Sequence, residues 1–137
     1  NYLFKTIGRN NHSDLLSIFF LAYTTYMSYI SSVKLLDYQA RIVELSDEAW
    51  EHIQESHPEI GIEDIKQALV DPVEVRCSQS KENVELFYHL KSREPKLRYR
   101  LVIVKLLSQG CFVSTAMTTN QIKKGEVLYK KPEGEGT

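Results

Sequence analysis

The sequence predicts an α+β fold in which N-terminal helices pack on one face of a four- to five-stranded antiparallel sheet. Two patterns predict it. Apolar residues recur at helical spacing between about residues 47 and 70, and from about residue 73 to residue 129 they alternate with polar residues as in strands. Helices followed by hairpin-connected strands are typical of this class. We expect the helices to cover one face of the sheet and the other face to be open to a ligand.

Two short helices are predicted first. Ser46, followed by Asp47 and Glu48, is a typical helix N-cap with acidic residues in the first turn. Pro58 ends this helix because proline disfavours helical geometry at the residue before it. A second helix is expected from about Ile62 to Val70, before the stop signal Asp71-Pro72. The predicted inward face of the first helix consists of Ala49, Trp50, Ile53 and His57.

The strands follow from alternating or continuous apolar residues between turn signals. Six of the nine residues in the run 99–107 are Leu, Val or Ile, which is typical of a central strand covered on both faces. Gln109-Gly110 and the turn 123–125 separate the last strands. Strands are predicted over residues 73–77, 84–90, 99–107, 111–118 and 126–129.

The chain divides into three predicted parts: an N-terminal extension or arm over residues 1–38, a compact domain over 39–131 and a disordered tail over 132–137. Residues 15–33 carry no charge over 19 positions, but six are Ser or Thr and three are Tyr. This hydropathy is marginal for a membrane span, so we expect no stable membrane association. A membrane or export segment and a fragment of another element are the alternatives for residues 1–38.

Composition and charge limit the functional class. The chain has 137 residues, 42% hydrophobic and 26% charged, and a net charge of -1, which is the balance of one globular domain. Ten acidic residues and one basic residue lie between Glu44 and Glu74, whereas twelve basic and four acidic residues lie between Arg76 and Lys131. A basic surface for an anionic partner is one interpretation, and attraction between the two halves is the other.

The sequence lacks the common cofactor motifs. Cys77 and Cys111 are isolated, and no CxxC pair, Gly-rich phosphate loop, GxSxG or HExxH motif occurs. We therefore expect no metal and no cofactor.

Two residues stand out as candidates for chemistry. His57 is predicted on the helix face that is directed at the sheet, where an imidazole could transfer a proton near neutral pH. From its spacing alone, a helix cap or a buried structural histidine is the favoured interpretation. Lys105 interrupts the most apolar strand, which is costly unless the charge serves a site or reaches water along its stem. His89 is a further candidate because it lies on the polar side of its strand.

A combination of segments resembles the phage- and toxin-associated nucleases of the barnase-EndoU-colicin-RelE superfamily. The segments are "HPEI", "ALVDPVEVRCS", "ELFYHLK", "YRLVIVKLL" and "FVSTAMTTNQIKKGEVLYKK", between about Gln39 and Lys131. The resemblance implies a small α+β domain that cleaves RNA without a metal. Its implied site has His57 as acid or base, Lys105 acting on the phosphate, and Thr115 or Thr118 as a hydrogen-bond donor. The implied phosphate-binding residues are Arg76, Lys123 and Lys124.

The first functional hypothesis is accordingly a metal-independent endoribonuclease, a toxin of a toxin-antitoxin or phage-conflict system. It would act on RNA in the cytoplasm and be held inactive by a separate antitoxin protein. The second hypothesis is a non-catalytic module that binds nucleic acid or protein on the same fold, for which salt-sensitive RNA binding without cleavage is expected. An exported or membrane-tethered effector is a third, which depends on residues 15–33.

Overall fold

The computed structural model describes residues 17–19, 21 and 32–132. The chain separates into two compact units, Asn1–Ser32 and Val33–Thr137. In the first unit the described residues 17–19 and 21 are helical and exposed. The rest of the predicted N-terminal arm up to residue 31, and residues 133–137 of the predicted tail, lie outside the described residues. No helix among the described residues combines the length and apolarity needed to cross a membrane.

The second unit is built mainly from β-strands. Two strands come first, then two helices, then five strands. In chain order the elements are β1 (Val33–Leu36), β2 (Ile42–Leu45), α1 (Asp47–Ser56), α2 (Ile62–Val70), β3 (Glu74–Cys77), β4 (Val84–Ser92), β5 (Arg98–Leu107), β6 (Gly110–Thr119) and β7 (Val127–Lys130). The strands form one seven-stranded sheet in the order β1-β2-β6-β5-β4-β3-β7.

The predicted architecture of N-terminal helices on a four- to five-stranded antiparallel sheet is therefore wrong. Two strands precede the helices, the sheet has seven strands, and it is mixed because β2 pairs in parallel with β6. The parallel contact is short, joining Val43 to Cys111 and Glu44 to Phe112. The hydrophobic period shows that a segment is extended but not which strand it pairs with. The pairing of β2 with β6 therefore could not be predicted from the alternation alone.

The two helices form where their local signals predict them. The Ser46 hydroxyl accepts a hydrogen bond from the Ala49 N–H at 3.1 Å, and the bounds of α2 match the expected residues 62–70. Both helices cover one face of the sheet, which we call the helix face. Its core is a single apolar cluster from both helices and the inward positions of the strands, including Ile53, Ile65, Leu69, Val75, Phe87, Val102, Val104 and Ala116.

The hairpin of β1 and β2 is tied to the rest of the sheet by a charged network. The Arg41 guanidinium contacts Asp37 at 2.7 Å and Glu85 of β4 at 2.6 Å. The Tyr38 ring lies 4.6 Å from that of Tyr129 on β7. The hairpin thus reaches residues of the opposite half of the sheet, which explains why residues 33–38 belong to the same unit as the strands that follow.

The sequence predicts that the second face of the sheet is open. In the structure this face instead carries its own apolar cluster. Val84, Leu86, Tyr88 and Leu101 are buried there, and Ile122 packs against them. Ile122 belongs to residues 120–126, which connect β6 to β7 and which we call the crossing segment. The Lys123 N–H donates to the Tyr88 hydroxyl at 3.0 Å, which fixes this segment on the sheet.

Candidate active site

The turn after α1 presents His57 and Glu59 at the edge of the helix face. The His57 N–H donates to the Ile53 carbonyl at 2.6 Å, and the His57 carbonyl accepts from the Ile60 N–H at 3.0 Å. Ile60 is buried, and its carbonyl accepts from the Gln54 side chain at 2.7 Å. Because Ile60 anchors the turn from inside, the neighbouring Glu59 is held on its outer side.

Arg100, Thr118 and Glu59 form a continuous hydrogen-bonded chain there. Arg100 on β5 and Thr118 on β6 are cross-strand partners, and an Arg100 Nη1 hydrogen donates to the Thr118 hydroxyl oxygen. That hydroxyl in turn donates to Glu59 Oε2 at 3.0 Å. A guanidinium, a hydroxyl and a carboxylate from two strands and a turn are thereby linked by consecutive hydrogen bonds.

The electrostatics keep Glu59 ionised. The pKa of its carboxyl is lowered from the ordinary value by a hydrogen bond from its own backbone N–H and, against the opposing effect of burial, by the Thr118 hydroxyl. The charges of His57 and Arg100 lower it further. His57, two residues before Glu59 in the same turn, thus contributes to the electrostatic environment of this carboxylate.

Further charged groups surround Arg100. Its side chain is 12% exposed, and Nε lies 3.5 Å from Asp64 Oδ1 of α2, beyond hydrogen-bonding geometry. Lys91 lies 3.8 Å from the same carboxylate oxygen. His89 is the cross-strand partner of Arg100 on β4, and its Nδ1 contacts the Asp71 carbonyl at 3.0 Å. Because a carbonyl only accepts, this contact requires the proton on Nδ1.

A cleft adjoins the cluster formed by His57, Glu59, Arg100 and Thr118, which we call the Thr118 cluster. It has a volume of about 380 Å³ and lies between the β4–β5 turn and the end of β6. Thr118 belongs to both the cleft and the cluster. The remaining lining residues are Lys96, Leu97, Arg98, Thr119 and Asn120, of which two are basic. A polyanion in this cleft would meet the cluster at Thr118.

The structure places the catalytic residues that the sequence predicts at different positions on the sheet. Thr118 is hydrogen-bonded to Glu59, and the charge of His57, two residues before Glu59, acts on the same carboxyl. Thr115 pairs with Ile103 and alternates with the buried Ala116, so it lies on the opposite face of the sheet. Lys105 is exposed, pairs with Val84 and Phe112, and stands five positions from Arg100, roughly 16 Å along the strand.

The predicted phosphate-binding residues lie on the side of Thr115. The Arg76 guanidinium pairs with Glu74, and its Nη1 donates to the Lys123 carbonyl at 3.1 Å. Lys123 and Lys124 are exposed on the crossing segment and line a separate pocket with residues of β4 and β5. Arg76, Lys123 and Lys124 are thus near one another and apart from the Thr118 cluster.

Sequence reasoning missed Glu59 and did not single out Arg100. Glu59 is the third residue of the "HPEI" segment, but nothing in the local sequence distinguishes it from the other acidic residues of the segment 44–74. Arg100 was one of several basic residues around the predicted hairpin. Only the pairing of β5 with β6 places it against Thr118.

Among the described residues, no group of three or more His, Cys, Asp and Glu side chains is arranged to hold a metal ion. Comparison of the chain with protein-family models, with curated proteins and with solved structures finds no match.

Proposed function

We propose that this protein is a metal-independent endoribonuclease whose active site is the Thr118 cluster. The observation that carries the proposal is the hydrogen-bonded chain of Arg100, Thr118 and Glu59 beside a cleft with basic walls, with His57 two residues before Glu59 acting on its carboxyl. The resemblance of the sequence to the barnase-EndoU-colicin-RelE nucleases supports the same activity.

The residue set meets the needs of RNA cleavage by the ribose 2′-hydroxyl. That reaction requires a base for the 2′-hydroxyl proton, an acid for the departing 5′-oxygen and positive charge for the phosphorane. Glu59 is ionised at neutral pH, so its carboxylate can accept the proton, and its lowered carboxyl pKa makes it a weak base for this role. His57 supplies the acid. Arg100 and the Thr118 hydroxyl can donate hydrogen bonds to the phosphoryl oxygens, exchanging their present contact for one with the substrate.

Binding of the RNA backbone is assigned to the hairpin between β4 and β5. Lys96 and Arg98 line the cleft and are exposed. Asn120, at the opposite wall, offers an amide to a base edge. The same basic walls would be the target of an acidic antitoxin, which would block the cleft by charge complementarity.

The proposal is tested by incubating the purified full chain with total RNA in EDTA and identifying the cleavage ends. We expect 2′,3′-cyclic phosphate ends from the parent protein. His57→Ala and Glu59→Gln should each lower the rate by roughly a hundredfold or more, as loss of a general acid or base does. The matched controls are His52→Ala and Glu55→Gln, which change exposed residues of α1 outside the cluster and should retain the parental rate.

One variant separates this site from the site that the sequence implied. Lys105→Ala should cleave at nearly the parental rate because Lys105 is remote from Thr118, whereas it should be inactive if Lys105 contacts the reacting phosphate. A folded parent that cleaves none of several RNA classes would overturn the enzymatic proposal and favour the non-catalytic RNA-binding module. Circular dichroism of every variant tests whether a variant with a lowered cleavage rate is still folded.

A further inference from the structure

A second pocket lies on the face of the sheet opposite the helices. It has a volume of about 270 Å³ and is enclosed by the β3–β4 turn, strands β4 and β5 and the crossing segment. Its floor is aliphatic and its rim is polar and basic. The floor consists of Val84, Leu86 and Ile103, and the rim consists of Ser78, Gln79, Ser80, Lys81, Lys123 and Lys124.

The wall that carries Lys123 and Lys124 is held in place by the sheet. The Lys123 N–H donates to the Tyr88 hydroxyl at 3.0 Å, and its carbonyl accepts from Arg76 at 3.1 Å. Two residues on, Gly125 approaches the Cys77 carbonyl so closely that an added Cβ would lie 2.1 Å from the oxygen. The basic wall of the pocket is therefore fixed to the sheet by hydrogen bonds and by a close backbone approach.

The three lysines of the rim are not held in ion pairs within the described part of the chain. None of Lys81, Lys123 and Lys124 makes an ion pair with a described residue, whereas Arg76 beside them is neutralised by Glu74. The Ser78 and Ser80 hydroxyls stand 3.4 Å apart at the same rim and can donate to an anion. Three ammonium groups and two hydroxyls around one opening favour a phosphate group.

The floor indicates that the ligand is larger than phosphate. Val84 and Leu86 belong to the buried apolar cluster of this face, and Ile103 packs against it. An aliphatic surface contributes to affinity only if the ligand buries a flat or apolar part there. A nucleotide has both parts, a phosphate for the rim and a base for the floor.

The geometry points to this pocket as a non-catalytic binding site for a single nucleotide unit. Its described lining residues include no histidine or carboxylate, and it lies on the other side of the sheet from the Thr118 cluster. The same chemistry can come from two sources, a free nucleoside monophosphate or one residue of a single-stranded RNA. The inference does not depend on cleavage, so it stands or falls separately from the proposed enzymatic activity.

Binding is measured by isothermal titration calorimetry with adenosine and uridine monophosphates, ribose 5-phosphate, inorganic phosphate and a short single-stranded RNA whose 2′-hydroxyls are methylated to prevent cleavage. Nucleoside monophosphates should bind, and Lys123→Gln combined with Lys124→Gln should weaken them by about tenfold or more, the cost of one lost charge-assisted contact. Ser80→Glu, which places a negative charge at an exposed rim position, should weaken them similarly. Lys66→Gln, an exposed lysine of α2, is the matched control and should bind as the parent does.

The outcomes are distinct. Binding of monophosphates that the rim variants weaken supports the site, with a free nucleotide as its source. RNA binding that the rim variants weaken, without monophosphate binding, supports the site with the RNA chain as its source. Inorganic phosphate that binds as tightly as the nucleotides overturns the role of the aliphatic floor. Absence of binding by every probe, or binding that the rim variants leave unchanged, overturns the site.

Discussion

Replacing Arg41 by alanine should destabilise the fold because it strips two carboxylates of their shared counter-charge. Arg41 contacts Asp37 at 2.7 Å and Glu85 at 2.6 Å. The Asp37 side chain is 0% exposed and that of Glu85 is 11% exposed, whereas that of Arg41 is 31% exposed. The pair is thus buried on its acidic side and partly open on its basic side.

The size of the loss in the free energy of unfolding depends on the contacts that remain after the substitution of Arg41. Breaking a buried ion pair by removing one partner costs about 3–5 kcal/mol. Here Asp37 Oδ1 keeps hydrogen bonds from the backbone N–H groups of Gln39 at 2.9 Å and of residue 41 at 2.8 Å, and water reaches the vacated position. We therefore expect a loss of about 2–4 kcal/mol in the free energy of unfolding, a large part of the total for a domain of this size.

The assay is urea unfolding followed by circular dichroism, with the free energy taken from the linear dependence on urea. Arg93→Ala is the matched control because Arg93 is exposed and makes no ion pair with a described residue, so it should stay within about 0.5 kcal/mol of the parent. Adding Glu85→Gln to Arg41→Ala should recover part of the loss, since one of the two unpaired charges disappears. An Arg41→Ala loss below about 0.5 kcal/mol, or strict additivity with Glu85→Gln, would refute the reasoning.

Three further predictions concern the site, the crossing segment and the core. Thr118→Val should raise the pKa of the Glu59 carboxyl towards its ordinary value, which NMR titration measures. A lowered carboxyl pKa stabilises the fold above the unfolded-state pKa, and this stabilisation is lost on acidification. The free energy of unfolding of the variant should therefore fall less with falling pH than that of the parent. Gly125→Ala should cost at least about 2 kcal/mol in urea unfolding, since the new methyl group would clash with the Cys77 carbonyl, and a neutral result would contradict the close approach. Ile53→Ala, at a fully buried position of α1, should cost about 3 kcal/mol by the same assay, and a loss under about 1 kcal/mol would show that α1 is not packed on the sheet.

The helices and the strand segments of the second half could be predicted because their signals are local. The Ser46 cap, the proline after His57 and the apolar spacing over residues 62–70 act within a few residues, and the structure confirms the helices they predict. The strands from β3 to β7 lie within one or two residues of the expected positions for the same reason. Alternation along the chain is a property of the strand itself.

Strand pairing and the composition of the site were decided by tertiary structure. β1 was missed because VKLL is short and carries no turn signal of its own, and it is a strand only because β2 pairs with it. The parallel contact of β2 with β6 likewise joins segments far apart in the chain. Partner choice depends on contacts across the sheet, which no local pattern encodes.

The candidate site shows the same division. Residue types alone marked His57 and the threonines of β6, but whether they meet depends on which face each strand position occupies and on what the turn after α1 presents. Besides the hydrogen bond from its own backbone N–H, the Glu59 carboxyl has its pKa lowered by Thr118 and Arg100, residues about sixty and forty positions away in the sequence. The sequence by itself determined which residues could carry chemistry and where helices and strands form, because those properties are intrinsic or local. The tertiary structure decided which of those residues stand together, because proximity in space depends on the whole sheet.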